Sequence, residues 1–480
     1  MPDRIEDEFM GAELGDARRE ARLARVAGQL FEVPGGSISA ACGGWKESMG
    51  AYRLLHSRQV TPRAVLAPHR EALLQRASEQ LCVLVIQDTT EIDFTAMKTM
   101  VGRGPLNDEH RRGFLLHSLY AVSAAGLPLG ILEAEVFRRE EEDFGQGAKR
   151  KQKPIQEKES YRWVEGYLRT AEAARRLPAS EVFSISDREG DIYEVFAAWA
   201  QAGQVPGPRA QWIIRGRQDR ALEGLGVESP QKLFAALAQA PELGTIDFEV
   251  RAKRQPKKRR GTTVQAVRSA RLVRQRLRAM EVTPRPPFRR GKKLAAVSFW
   301  AVLAEEIDPP PEEEPLRWLL LTSVEVRTPA AARRILTLYL RRWDIEVFHR
   351  VLKTGCRVEQ IQLKAEQAVH NCLILYLIIS WRLLYLTHLG RQCPTLPCGS
   401  IFSEAEWKSA CLVAAAKKIR GYDKAQPLRE PLLGEFIALV AKFGGHLGRR
   451  GDKPPGAQAI WQGLARVRDF ACAWEAIHPG

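Results

Sequence analysis

This 480-residue chain lacks any Cys-x-x-Cys pair: its eight cysteines stand apart at 42, 82, 356, 372, 393, 398, 411 and 472. That argues against a structural zinc site, whose ligands come in close pairs. No internal repeat is visible. No apolar run is long enough to span a bilayer either. The most apolar, Cys372–Trp381, is ended by Arg382 and has about half the length required, so it reads as a buried helix. The opening Pro2–Arg4 runs straight into acidic residues, so no signal peptide is expected. With unpaired thiols as well, a reducing cytoplasm is the expected location.

What is present is a globular balance of 45 % hydrophobic and 27 % charged residues, with a net charge of +16. The length predicts two to four domains. The positive excess favours a polyanionic partner, nucleic acid above all, with an acidic membrane surface as the other source of such a bias. The charge is local. Residues 251–293 hold 17 Lys or Arg and one acid, Glu281, so the rest of the chain sums to about zero. Either a solvated basic loop or a phosphate-binding segment fits this stretch.

Along the chain, 14–33 reads as an amphipathic helix with Asp16 as its N-cap. Arg18, Arg22 and Arg25 share one face, and Leu23, Val26, Ala27 and Leu30 the other. Further helical stretches follow, through Gly50–Leu55 and over Thr61–Glu79. Cys82–Ile86 reads as a short buried strand ending at Gln87–Asp88, and Val182–Ser186 as another ending at Asp187. Leu115–Val122 and Leu129–Phe137 suit a hairpin; Tyr161–Arg176 is helical, and Gln211–Arg215 is a strand. Leu294–Leu303 and Trp318–Thr322 resume strand patterns around the Pro309–Pro315 linker. Ala331–Lys353 is predicted to be one long helix, followed by another over His370–Leu389 and a helical tail with a loop at Gly444–Gly456.

Three acids stand out. Asp88 and Asp187 each close a short apolar strand, the place where ligand sites gather in open α/β sheets. An Asp there also serves turns and caps. On an ideal helix at about 100° per residue, Tyr339, Arg342, Glu346, Arg350 and Lys353 fall in one narrow stripe. Ile345, Phe348, Val351 and Leu352 fall opposite. The stripe suits intrahelical ion pairs, and equally a carboxylate set among phosphate-binding cations. Phosphodiester chemistry needs an activated oxygen, an in-line leaving group and neutralised charge. Two hard divalent ions about 3.5–4 Å apart supply all three, and Mg²⁺ is satisfied by a few carboxylates.

Tyr339-x2-Arg342-x3-Glu346-x6-Lys353 resembles the Y-R-E-K signature of the DDE transposases of the insertion-sequence-four family. Asp88-Thr89-Thr90, Asp187-Arg188-Glu189, Trp318–Ser323, Arg342–Glu346, Phe348-His349-Arg350 and Lys353-Thr354-Gly355 are similar to its motifs in the same order. So are Leu14-Gly15-Asp16-x-Arg18-Arg19 and Gly50–Arg53 near the start. Arg350 stands where the resembled motif has Lys.

The resemblance implies an α/β fold: an RNase H-like catalytic core with a β-rich insertion, flanked by helical N- and C-terminal domains. Its divisions would be 1–78 for DNA-end recognition, 79–370 for the core with the insertion at about 205–318, and 371–480 for dimerisation. Asp88, Asp187 and Glu346 would be catalytic and hold two Mg²⁺ ions, or Mn²⁺ in their place. Tyr339, Arg342, Lys353, Arg350, His349 and Arg215 would contact DNA near the cut end. Trp318 would stack on a flipped base, although its position also suits a core Trp, and Arg18, Arg19 and Arg22 would read the element end. The implied partners are double-stranded DNA, as terminal repeats and target, and a second copy of the chain in a synaptic complex; the implied setting is a bacterial cytoplasm. The implied activity is cut-and-paste transposition. A nuclease without strand transfer and an idle DNA-binding regulator are the alternatives.

Overall fold

The computed structural model describes residues 4–145, 153–223, 231–250, 253–254, 266–268, 270–289, 293–311, 313, 315–419, 422, 429–449, 452 and 454–478. It is a mixed α/β protein whose chain divides into two compact units. One comprises Met1–Gln80, Asp88–Gln152 and Trp343–Gly480; the other comprises Leu81–Gln87 and Lys153–Arg342.

The first unit opens with helices α1 (Ala17–Glu32), α2 (Ile38–Cys42), α3 (Trp45–Leu55) and α4 (Pro62–Ser78). Asp16 caps α1 by accepting from the backbone of Arg18 and Arg19 at 2.8 and 3.3 Å, and the predicted apolar face is buried. Such a cap contributes about 1 kcal/mol. Beneath these helices lies a buried polar knot. Ile131 N–H donates to His69 Nε2 at 2.9 Å, so the ring proton sits on Nδ1, which donates to Glu8 at 2.5 Å. Arg76 forks onto the same carboxylate at 2.6 and 3.2 Å. Burial pushes Glu8 up, but the bonds from His69 and Arg76 hold it at about 2.

Strand β1 (Cys82–Asp93) passes through both units. It is twice the predicted length, so Asp88 lies inside a strand and not at its end. It also borders β3 (Arg112–Ser123), which pairs antiparallel with β2 (Gly104–Pro105) and β4 (Pro128–Phe137).

In the second unit, β1 pairs parallel with β5 (Glu181–Ser186), which follows α5 (Tyr161–Arg175). After α6 (Tyr193–Ala202), β6 (Gln211–Arg215) adds parallel to β5. The segment after β6 is β-rich. Past α7 (Leu233–Gln239) come β7 (Glu242–Val250), the small pair β8 (Lys253–Arg254) and β9 (Ala266–Arg268), β10 (Arg271–Val282), β11 (Phe299–Glu306) and β12 (Arg317–Thr322). The sheet order is β1-β5-β6-β12-β11-β10-β7, antiparallel from β6 outward. The predicted strand at Leu294–Leu303 begins only at Phe299.

Helix α8 (Pro329–Leu340) closes the second unit. The first unit resumes with α9 (Trp343–Arg350), a π-helical turn at Val351–Gly355, α10 (Glu366–Gln392), α11 (Glu404–Ala416), α12 (Leu433–Phe443) and α13 (Ala457–Ile477). Helix α10 is longer than its apolar run suggested. By length and composition it could cross a bilayer, but 94 % of its most apolar window is buried inside the protein, which makes it a core helix.

Candidate active site

The predicted single helix over 331–353 is not formed. Helix α8 stops at Leu340, and the backbone N–H groups of Arg341 and Arg342 turn back to Leu338 and Tyr339 at 3.1 and 2.9 Å. The helix restarts at Trp343 and widens at Val351. The calculated stripe therefore does not exist as a helical face. No Pro or Gly marks the break. Tertiary burial of Tyr339 and Arg342, at 3 % and 8 % exposure, overrides the local pattern.

What the second unit builds instead is a cluster around Tyr339. Asp187 is the first residue beyond β5, half-buried, with Oδ1 accepting from Glu189 N–H at 2.8 Å. It thus caps the short turn Arg188–Gly190. Gly190 is required there, because a Cβ would meet Ser186 Oγ at 2.1 Å. Arg215, the last residue of β6, interacts with Tyr339, Arg188 and Arg342. Burial lowers its pKa, Tyr339 pulls it back up, and the two neighbouring guanidiniums add to the depression. Burial likewise raises the Tyr339 phenol against the pull of Arg342 and Arg215, while Asp187 adds to the rise. Among the described residues, its buried hydroxyl has no hydrogen bond of ordinary geometry. Three guanidiniums, a phenol and a carboxylate from three separated segments thus share one neighbourhood. A phosphate would relieve the mutual repulsion of the cations and give the phenol an acceptor.

In the first unit, α9 is fixed to β3. Phe348 stacks on Tyr120 at 4.6 Å between ring centroids, and His349 Nε2 lies 2.9 Å from Ser118 Oγ. Both rings of the aromatic pair are buried, and such stacking contributes about 0.5–1.5 kcal/mol beyond the area removed from water. Burial, with the Lys353 cation adding to it, pushes His349 down to about 3. His349 is therefore a neutral, buried residue engaged with β3. Glu346, on the same helix, is half-buried, Arg350 is exposed, and Lys353 lies 3.9 Å from Glu359. Asp88 is half-buried and accepts from Thr89 N–H at 2.8 Å.

The last aligned pair of β1 and β5 is Ile86 with Ile185. Asp88 and Asp187 each follow it by two residues along their own segments. Asp88 and Glu346 belong to the first unit, Asp187 to the second. Among the described residues, no group of three or more His, Cys, Asp or Glu side chains is placed to hold a metal ion. As a donor set, three carboxylates offer only hard oxygen ligands, which suit Mg²⁺ or Mn²⁺ and not a soft metal.

Two known families match this chain. Residues 2–60 match the transposase DNA-binding family, and residues 378–475 match the transposase Tn5 dimerisation domain. Together they support a DNA transposase of the Tn5 type that binds DNA and forms a homodimer. Neither matched range includes Asp88, Asp187 or Glu346.

The DNA-binding match covers α1 to α3. There Arg18 is exposed, Arg19 donates to the Leu14 carbonyl, and Arg22 lies 3.9 Å from Glu47. Gly50 makes room for Arg22, since a Cβ would fall 1.8 Å from its guanidinium. Trp318, on β12, is half-buried and stacks on Phe248 at 5.3 Å.

One residue of the Tyr339 cluster was given no role from the sequence, although it stands in the Asp187-Arg188-Glu189 motif. Arg188 directly follows Asp187, and its adjacency to a carboxylate at a strand end was the available signal. Among the described residues of the basic stretch, four arginines pair with acids. Arg271 pairs with Glu306 at 2.9 Å and with Glu313, Arg274 with Asp247 at 2.9 Å, Arg276 with Glu242 at 2.9 Å, and Arg289 with Glu194 at 2.6 Å. Residues 251–252, 255–265, 269 and 290–292 of that stretch lie outside the described residues.

Proposed function

We propose that this transposase is a cut-and-paste enzyme of the DDE type, with an RNase H-like core and Asp88, Asp187 and Glu346 as its catalytic carboxylates. The observation that carries the reading is the pair of family matches at opposite ends of the chain, DNA-binding at 2–60 and dimerisation at 378–475. Between them lies a parallel trio, β1, β5 and β6, with acids following the aligned residues of β1 and β5. That is where α/β sheets place their chemistry.

Each step is an in-line displacement at phosphorus. Water attacks at the element end and releases a 3′-hydroxyl. That hydroxyl attacks the opposite strand and closes a hairpin on the element. A second water opens the hairpin, and the 3′-ends then attack target DNA. The three carboxylates would hold a pair of Mg²⁺ ions, which when bound activate the attacking oxygen and neutralise charge on the leaving one. Arg215, Tyr339, Arg342 and Arg188 would grip phosphates through the Tyr339 cluster, with Lys353 and Arg350 supplying further charge. His349 would act from within, holding α9 against β3, and not as a direct DNA contact. For Trp318 to receive a flipped base, its stack with Phe248 would have to open. Arg18, Arg19 and Arg22 would sit on the element end.

The test is a strand-transfer assay. Duplex DNA carrying the inverted repeats that bound the gene is incubated with full-length protein and Mg²⁺. Nicking, a hairpin intermediate and joining of the 3′-end to a target plasmid are expected. Nicking without joining would make the protein a nuclease, and binding without nicking would make it a regulator.

A further inference from the structure

Lys353 faces a polar network that the proposed reaction leaves unused. Beyond the π-helical turn, Arg357 takes a left-handed backbone conformation with φ of 50°, which costs about 1–2 kcal/mol for a residue with a side chain. This bend starts the turn Val358–Gln360 and brings Glu359 back toward Lys353. Glu359 Oε1 accepts from Asp93 N–H at 3.1 Å and lies 3.9 Å from Lys353 Nζ. Asp93 stands on β1, the strand that also carries Asp88.

Two more carboxylates lie near. Glu91 and Asp93 are both engaged by Arg111, at 2.7 and 2.9 Å, and Glu91 also accepts from Asn107 N–H at 2.6 Å. Their charge is largely spent there, which leaves Glu359 as the direct counter-ion of Lys353. Both side chains of that pair are about one-third exposed, 29 % and 34 %. A long, partly solvated pair of this kind stabilises a fold very little. It is therefore easily exchanged for a better anion. Burial lowers the Lys353 pKa, Glu359 and then Glu91 raise it, Arg111 lowers it and Asp93 raises it.

We propose that Glu359 is a positioning residue for Lys353: anchored on the backbone of the Asp88 strand, it holds the ammonium in place until a DNA phosphate takes over from the carboxylate. The proposal rests on the transposase reading above, because it gives Lys353 a phosphate to bind. A phosphate carries more acceptor oxygens than the carboxylate, so the exchange runs forward when DNA arrives. Glu359 then lowers affinity slightly while keeping Lys353 from collapsing onto Glu91 or Asp93.

The test uses full-length protein and four variants: Glu359→Gln, Glu359→Asp, Lys353→Gln and the Glu359→Gln/Lys353→Gln double. Without DNA, labelling of Lys353 by an amine-reactive ester is expected to be several-fold faster in Glu359→Gln, because the ammonium has lost its counter-charge, and near the original rate in Glu359→Asp. With a duplex of the bounding inverted repeat, Glu359→Gln should bind more tightly at low salt. Because Lys353 meets the same phosphate in both proteins, the slope of log K against log salt should stay near its original value in Glu359→Gln and become shallower by about 0.9 in Lys353→Gln. Adding Glu359→Gln to Lys353→Gln should change neither quantity. Unchanged labelling in Glu359→Gln, or unchanged low-salt affinity of Glu359→Gln for a duplex that the protein binds, overturns the proposal. If the unsubstituted protein binds no duplex, the transposase reading fails, and the labelling result alone decides whether Glu359 holds Lys353.

Discussion

Two groups of arginines in this protein have opposite fates. Along β10 and just beyond it, Arg271, Arg274, Arg276 and Arg289 meet Glu306 and Glu313, Asp247, Glu242 and Glu194. Around Tyr339, Arg188, Arg215, Arg342 and Asp187 gather from segments far apart in the sequence. The first group is conspicuous in the sequence and largely neutralised in the fold. The second is scattered in the sequence and concentrated by the fold. A run of charge along a chain measures composition; the field a phosphate would feel depends on which cations the fold brings together.

The comparison can be broken most forcefully at Glu306. It is 7 % exposed, holds Arg271 and also accepts from Leu316 N–H at 2.9 Å. Glu306→Ala leaves the half-buried Arg271 with Glu313 alone and takes the acceptor from Leu316 N–H, and a loss of about 1–3 kcal/mol is expected. Denaturant unfolding checks it; a loss below 1 kcal/mol would mean that the pairing on β10 is not structural. Next comes Arg215→Ala. It should leave the melting temperature near its original value and reduce DNA-end cleavage by about 100- to 1000-fold, the cost of removing one preorganised charge donor. Single-turnover cleavage reads this, and an unchanged rate would remove the Tyr339 cluster from the chemistry. The smallest effect belongs to Arg274→Ala. Its pair with Asp247 is mostly exposed, so end binding should stay within about twofold. A large loss of binding would show that the β10 arginines serve DNA after all.

How much of this was legible depends on the range of the interaction involved. The Asp16 cap and the apolar face of α1 were readable because a cap acts within three residues and a helical face repeats every turn. The strands ending before Asp187 and at Arg215 were readable for the same local reason. The continuation of β1 past Gln87 was not. Its residues turn polar there, and what keeps the strand going lies far away, in Arg111 and Glu359. The break at Arg341–Arg342 was also hidden, since it follows from burying Tyr339 and Arg342 and not from a helix-breaking residue. The pairing of β10 with acids on β7 and β11 needed a register that composition cannot supply. Motif spacing selected the three carboxylates as candidates, whereas Arg188, quoted only as a neighbour of Asp187, joined the cluster when the fold placed it near Arg215.

The most direct measurement is Mg²⁺-dependent, single-turnover cleavage of end-bearing duplex by Asp88→Ala, Asp187→Ala and Glu346→Ala, each checked for end binding by mobility shift. The account predicts that all three lose every strand cut while binding the duplex within a few-fold of the unsubstituted protein, about 1 kcal/mol. A variant that still cuts at a comparable rate would contradict the shared carboxylate centre.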